Sequence, residues 1–494
     1  MEAPPNTDLL GSVRRGLGWT LGSQAAGQAV RLGTVLVLAR LLTPGDYGLA
    51  GMAFVFSGLA LLVFDLALGA ALVQRRDVVE ADYSTVFWTN AVLGVLCTLA
   101  GIGLSGPIAS FYGEPEVRPL FLVLSLGFMI AALGSTQIAV LTRSLDFRSL
   151  EISFIGGALA GAAVAVGIAA WGKGPWALVA QQLATAVASV ALLWVFSSWR
   201  PRFVFSRTSL RELGGFGASM FGTRLLFYVH RNVDNLLIGR FLGASPLGAY
   251  ALAYNLVLLP FNRIVDPIRH VLFPTLSRIQ DDRERIAAAW LRVVRLVAAI
   301  FLPGMLGLAV VAPELVPVVL GERWSGVIRL LQILSFVGLL QSLAAVNSIV
   351  LPVLGRTTTL LRFSVVAFLA SLAGFAVGLH WGVKGVAAGY LAANVVVVPL
   401  YTLLTARALG VSFLALPRAV AGVAEAALGM LACALGVRFL LSGADLQDWA
   451  RLGILVLTGV GSFVPLCAWR APEVVRDLGR LRKGGGVGPA LADA

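Results

Sequence analysis

Polar side chains set inside long apolar stretches are where this 494-residue chain can do chemistry. Gln24, Gln28 and Arg31 fall at i, i+4 and i+7 of the first apolar stretch. Arg224, Tyr228, Arg231 and Asn235 fall at i, i+4, i+7 and i+11 of the seventh. On a helix each set makes one stripe along one face. A central charge facing hydrocarbon costs about 2.5–3.5 kcal/mol, so such stripes belong in a protein interior or a wet cavity. On these two helices three arginines stand against one acid, Asp234, which favours an anionic ligand over an organic cation. The planar guanidinium fork suits phosphate and pyrophosphate oxygens. Arg263, in the eighth stretch, extends the candidate binding set.

Each of these residues has a plainer alternative. Arg31 pairs with a buried carboxylate, or Arg263, Asp266 and Arg269 snorkel from the end of their span. Asp65, Asp234 and Asp266 are the candidates for coupling to a proton or sodium gradient, with Asp65 open to the same snorkelling. Asp234, three residues from Arg231, is equally placed for an intrahelical pair. Glu425, alone in its span, reads as a satisfied buried acid. Arg40 and Arg240 sit at the outer mouth, where lipid phosphate is within reach. His230 and His380 have no metal-ligand spacing. Cys97, Cys433 and Cys467 read as small core residues, so neither metal nor cofactor is expected.

The stretches that must carry these groups are transmembrane helices. Hydrophobic residues make up 58% of the chain and charged residues 13%, with mean hydropathy +0.87. A water-soluble surface needs roughly 25% charged residues, so most of this surface faces lipid. That composition excludes a cytosolic enzyme, a disordered chain and a disulfide scaffold. The net charge of +13 fits arginine-loaded cytoplasmic loops rather than nucleic acid. Crossing hydrocarbon takes about 20 apolar residues, and fourteen spans are expected: 17–39, 47–69, 85–110, 119–140, 152–171, 175–196, 213–239, 246–268, 290–312, 328–350, 362–381, 385–406, 418–440 and 450–469. With a cytoplasmic N-terminus, 23 basic residues fall inside and 8 outside, which supports both termini being cytoplasmic. The longest polar connections, 197–212 and 274–289, are too short to fold alone, and residues 471–494 read as a disordered tail.

An internal repeat relates the two polar stripes. Shifting the chain by 200 residues lays QAVRLGTVLVLARLLTPGDYG (28–48) on YVHRNVDNLLIGRFLGASPLG (228–248). Arg31 falls on Arg231, Arg40 on Arg240 and Gly48 on Gly248. The copies start at the first and seventh spans, so they enter the membrane from the same side, as in transporters built from two parallel halves. The expected organisation is therefore a six-helix bundle over 1–199, a second over 200–410, two extra helices over 411–470, and the tail.

Two segments resemble a known family. ARLLTPGDYGLAGMAFVFSGLALLVFDLALGAALVQR (39–75) is similar to the N-terminal signature of bacterial polysaccharide-transporter flippases. RNVDNLLIGRFLGASPLGAYALAYNLVLLPFNRIVDPIRHVLFPTLSRIQDD (231–282) resembles the start of that family's second half. The family belongs to the multidrug/oligosaccharidyl-lipid/polysaccharide exporter superfamily. The resemblance implies an all-α membrane fold, with two pseudo-symmetric bundles around a central cavity. It also implies flipping of undecaprenyl-diphosphate-linked oligosaccharide across the bacterial cytoplasmic membrane for capsule, O-antigen or exopolysaccharide synthesis. Arg31, Arg224 and Arg231 then suit the diphosphate by their location. Glycan polymerase or assembly machinery is the expected protein partner. The competing functions are a multidrug cation exporter, which wants more acids in the cavity, and a membrane polymerase or ligase. The latter wants a larger outer loop with converging catalytic groups.

Overall fold

The computed structural model describes residues 27–64, 69, 72, 73, 75, 77–443 and 445–483. Helices dominate: α1 (27–41), α2 (Pro44–Phe64), α3 (Glu80–Tyr112), α4 (Val117–Arg143), α5 (Phe147–Ala170), α6 (Trp176–Phe196), α7 (Arg207–Leu242) and α8 (Ala244–Ser277) are followed by eight more. These are α9 (Arg283–Val319), α10 (Ser325–Ala345), α11 (Asn347–Val353), α12 (Thr357–Gly378), α13 (Gly382–Leu409), α14 (Ala415–Leu440), α15 (Asp448–Arg470) and α16 (Pro472–Lys483). Over its described residues each span expected from the sequence overlaps one of them, except 328–350, which is divided between α10 and α11. Eleven stretches among the described residues are long and apolar enough to cross a membrane, one of them holding both α12 and α13. α1 and the more polar α7 complete the set of fourteen. The chain is a multi-pass membrane protein.

Local chemistry sets the helix starts. The Thr43 N–H donates to Asp46 Oδ2 at 2.8 Å and the Asp46 N–H to Thr43 Oγ1 at 3.3 Å, a capping box with Pro44 at the first helical position of α2. Asp146, Ser206 and Asp282 each accept from a backbone N–H three residues on, starting α5, α7 and α9. The two shortest connections turn on glycine. Gly172 (φ 71°) closes the α5–α6 hairpin and Gly382 (φ 68°) the α12–α13 hairpin, in a left-handed conformation that other residues rarely adopt.

Contacts divide the chain at Gly248/Ala249. This division follows packing, because α7 rests on α2 and α3; the repeat boundaries at 199/200 and 410/411 are a different quantity. In the first unit α3–α4 and α5–α6 form tight hairpins, and α4 packs on α6 and α2. Leu38 of α1 and Leu42 just after it are buried with Ala50, Ala165, Ala169, Ala177 and Leu178. The 197–206 connection is pinned to the start of α3. Trp88 Nε1 donates to the Arg202 carbonyl at 2.9 Å, Ser206 N–H donates to Thr85 Oγ1 at 2.9 Å, and the Trp88 and Phe203 rings stack at 4.9 Å.

In the second unit α9 is the hub, contacting α10, α13, α14, α15 and α16. Its buried Trp290 donates from Nε1 to Asn347 Oδ1 at 2.8 Å, and Asn347 Nδ2 donates to Thr402 Oγ1 at 3.2 Å. Asn347 follows a break at Val346 that splits the expected 328–350 span into α10 and α11.

Three expectations need correction. Helices α7 and α9 begin well before the apolar runs, and α8 continues to Ser277 through Pro260, Pro267 and Pro274. The 274–289 loop therefore shrinks to residues 278–282. The tail is not disordered from 471 onward: residues 472–483 form α16, tied to α9 by Arg292 and Arg295 against Glu473 and Asp477. Residues 484–494 lie outside the described residues. Glu425 is not a buried acid but an exposed one, paired with Arg470.

Candidate substrate-binding helices

α1 and α7 both flank α2. Leu38 of α1 and Leu42 just after it cluster with Ala50, and Tyr47 and Phe54 of α2 pack against them. From α7, the Tyr228 hydroxyl donates to the Val55 carbonyl of α2 at 2.6 Å. The same ring closes on Gly58, where any Cβ would overlap its hydroxyl. Tyr228 therefore spends its polar tip on a helix–helix tie, a role its place in the stripe did not reveal.

The two repeat-related arginines occupy matching environments. Arg31 is exposed, while Thr34 and Leu38, on the same face at i+3 and i+7, are buried. Arg231 is exposed, while Asp234 and Ile238 at i+3 and i+7 are buried. Each helix thus has a face packed toward its C-terminal end that opens at the arginine. No ion pair joins Arg31 or Arg231 to a described residue, so of the two alternatives for Asp234 the intrahelical pair with Arg231 does not form. Asp234 is 4% exposed, and its Oδ1 accepts from the Asn235 N–H at 2.8 Å. Asn235 Oδ1 is buried and accepts no hydrogen bond. Gln28 is half-buried one turn below Arg31.

Other candidates are less accessible. Gln24 and Asp65 lie outside the described residues, as do the side chains of Arg224, Arg263 and Asp266, whose backbones continue α7 and α8. Arg40 and Arg240 are exposed, and Arg240 lies over the Phe111 and Phe241 rings at 5.9 and 5.8 Å. Arg269 is exposed.

The structure adds polar groups that the stripes did not flag. Gln341 Nε2 donates to the Tyr390 hydroxyl at 2.6 Å, which lies 3.4 Å from that of Tyr254. Glu314 is buried at the end of α9 and pairs with Arg438 at 2.9 Å. The span expected over 290–312 stops short of this residue, whereas the helix runs to Val319 and includes Glu314.

Comparison with known proteins gives this arrangement a setting. The chain is 29% identical over 364 residues to the lipopolysaccharide biosynthesis protein WzxC of Escherichia coli K12, covering 73% of this chain and 74% of that one. It is 30% identical over 316 residues to the succinoglycan biosynthesis transport protein ExoT of Rhizobium meliloti, covering 64% of each. The lipid II flippase MurJ in an inward closed conformation has the same fold, with TM-score 0.73 and 15% identity over 93% of this chain and 99% of that one. Residues 37–329, more than half of the sequence and including all of α7 and α9, match the polysaccharide biosynthesis protein family, and the chain is a member of it.

Proposed function

We propose that the protein flips undecaprenyl-diphosphate-linked oligosaccharide across the bacterial cytoplasmic membrane by alternating access, for capsule, O-antigen or exopolysaccharide synthesis. The observation that carries this reading is the matched pair Arg31 and Arg231. Each is exposed on a face whose next two positions are buried, at equivalent places in the repeat. A cationic fork held at such an opening suits a diphosphate. Arg224, Gln28 and Asn235 extend the same stripes, and Arg263 belongs to the set by sequence. Family membership and transport-named relatives support a carrier rather than a polymerase or ligase. The excess of arginine over acid on α1 and α7 disfavours a multidrug cation exporter.

Both termini are proposed to be cytoplasmic, on the basic-residue asymmetry. Coupling to a proton or sodium gradient is assigned to Asp234, supported by its burial beside the unfilled Asn235 Oδ1, with Asp65 and Asp266 as further candidates from the sequence. Glycan polymerase or assembly machinery is the proposed protein partner.

The test is glycan export in cells carrying Arg31→Ala or Arg231→Ala, with membrane levels measured in parallel. A charge-assisted contact is worth about 1.5–3 kcal/mol, so export should fall about tenfold or more at unchanged protein level. Lys at either position should restore part of it, since charge remains while the bidentate fork is lost. Normal export from both alanine variants would defeat the diphosphate assignment.

A further inference from the structure

From Pro246 to Asp266, Asn255 of α8 is alone in being exposed among the described residues, while Leu252, Val257 and Leu258 are buried. A helix that faces lipid looks different: α3 exposes Val92, Leu96 and Leu99, and α15 exposes Leu457, Val460 and Val464. The opening beside Asn255 is therefore not a lipid-facing surface. Asn255 lies eleven residues after Ala244, the start of α8. That is about 16 Å along the helix, half-way across a hydrocarbon core of about 30 Å. It makes no hydrogen bond or ion pair with a described residue. An amide left unpaired against hydrocarbon is costly, so this side chain meets water or a polar ligand.

The polar groups next to it carry no charge. Tyr254, the preceding residue, stacks on Tyr250 with ring centroids 5.9 Å apart, and its hydroxyl lies 3.4 Å from that of Tyr390 on α13. Tyr390 in turn accepts from Gln341 Nε2 on α10 at 2.6 Å. This chain ties α8 to α10 and α13, and so fixes the rotation at which α8 presents Asn255. A diphosphate would call for a cation at this depth, but the arginines of α8, Arg263 and Arg269, come eight and fourteen residues further along. The amide of Asn255 offers two donors and an acceptor, and hydroxyl groups match that set because each both donates and accepts.

We infer that Asn255 hydrogen-bonds a sugar hydroxyl of the lipid-linked oligosaccharide and so takes part in choosing which glycan is carried. This role rests on the flippase reading, in which the arginines take the diphosphate and the uncharged, hydroxyl-rich glycan needs neutral partners.

The full chain in nanodiscs, with binding read by native mass spectrometry, tests it against two probes. One is bare undecaprenyl diphosphate; the other is the lipid-linked oligosaccharide extracted from the producing cells. The wild type should bind the glycan-bearing probe about tenfold more tightly than the bare one. Asn255→Leu should lose about fivefold for the glycan-bearing probe and nothing for the bare one, with an unchanged melting midpoint. Asn255→Ser, which keeps a donor and an acceptor, should recover part of that loss. Arg31→Ala should weaken both probes alike. Both probes bound by the wild type, with Asn255→Leu changing neither or both equally, would overturn the sugar contact and leave the flippase reading standing. Neither probe bound by the wild type would overturn the flippase reading, and this contact with it. A loss seen in sodium but not in choline buffer would make Asn255 a cation ligand and overturn the sugar contact.

Discussion

Gly48 and Gly248 press against each other's helix starts. A Cβ on Gly48 would overlap the carbonyl oxygen of Ala244, and one on Gly248 would overlap that of Pro44. The offsets are equal: each glycine meets the residue four places before its repeat partner. The first turns of α2 and α8 thus meet about a local two-fold relation, with backbones closer than any side chain allows.

Replacing either glycine should therefore cost more than an ordinary surface change. Gly48→Val or Gly248→Val overpacks the contact and should remove about 1–3 kcal/mol of stability. Gly103→Ala is the control, since a Cβ there meets nothing within 4 Å. Thermal melting in detergent reads the difference.

The tie between α7 and α2 can be separated into its parts. Tyr228→Phe loses the bond to the Val55 carbonyl and should cost about 0.5–1.5 kcal/mol. Gly58→Ala forces the Tyr228 ring away and should cost more. In a double-mutant cycle Tyr228→Ala should absorb most of the Gly58→Ala penalty, because the two residues touch. Additive effects would mean that the contact does not form.

Asn347 bridges Trp290 and Thr402 at the break between α10 and α11. Asn347→Ala strands a buried indole N–H and should cost about 1–3 kcal/mol. Asn347→Asp keeps the acceptor but loses the donor to Thr402. The indole's emission maximum, isolated in a variant whose other tryptophans are replaced by phenylalanine, should shift in the alanine variant more than in the aspartate variant.

Docking of α16 depends on charge. Asp477 is 6% exposed and meets both Arg292 and Arg295. Asp477→Ala leaves two half-buried arginines without their shared partner, a loss of about 3–5 kcal/mol for a buried pair. The helix should detach, and trypsin should cleave after Arg476 and Arg480 far faster than in the wild type, while the transmembrane core stays resistant. Unchanged cleavage would mean that apolar contacts at Val474 hold α16 alone.

The spans were legible because a 20-residue apolar run has one structural solution in lipid: a helix whose backbone bonds are all internal. Their ends were less legible. α7 and α9 continue through arginine-rich turns that hydropathy excludes, because a capped helix propagates past the hydrocarbon boundary. The Val346 break left no proline or glycine signature and depends on the tertiary bonds of Asn347. Glu425 looked solitary because its partner, Arg470, lies two helices' length away in the sequence. Of the polar stripes, Arg31 and Arg231 behave alike, as the repeat implied. Tyr228 stands in the same stripe yet serves packing, a distinction that periodicity alone does not make.

The cap of α2 has no counterpart in the second copy. Thr43 and Asp46, which close the capping box, correspond after the shift of 200 to Gly243 (φ 87°) and Pro246. In a symmetric homodimer one sequence must satisfy both sides of an isologous contact, so every substitution acts twice. Here both sides belong to a single gene. One copy can keep a hydrogen-bonded cap, with Asp46 also filling the space beside Gly174, while the other opens its helix on a glycine turn. Selection can then tune the two edges of the same junction separately, an evolutionary freedom that a dimer of identical halves lacks.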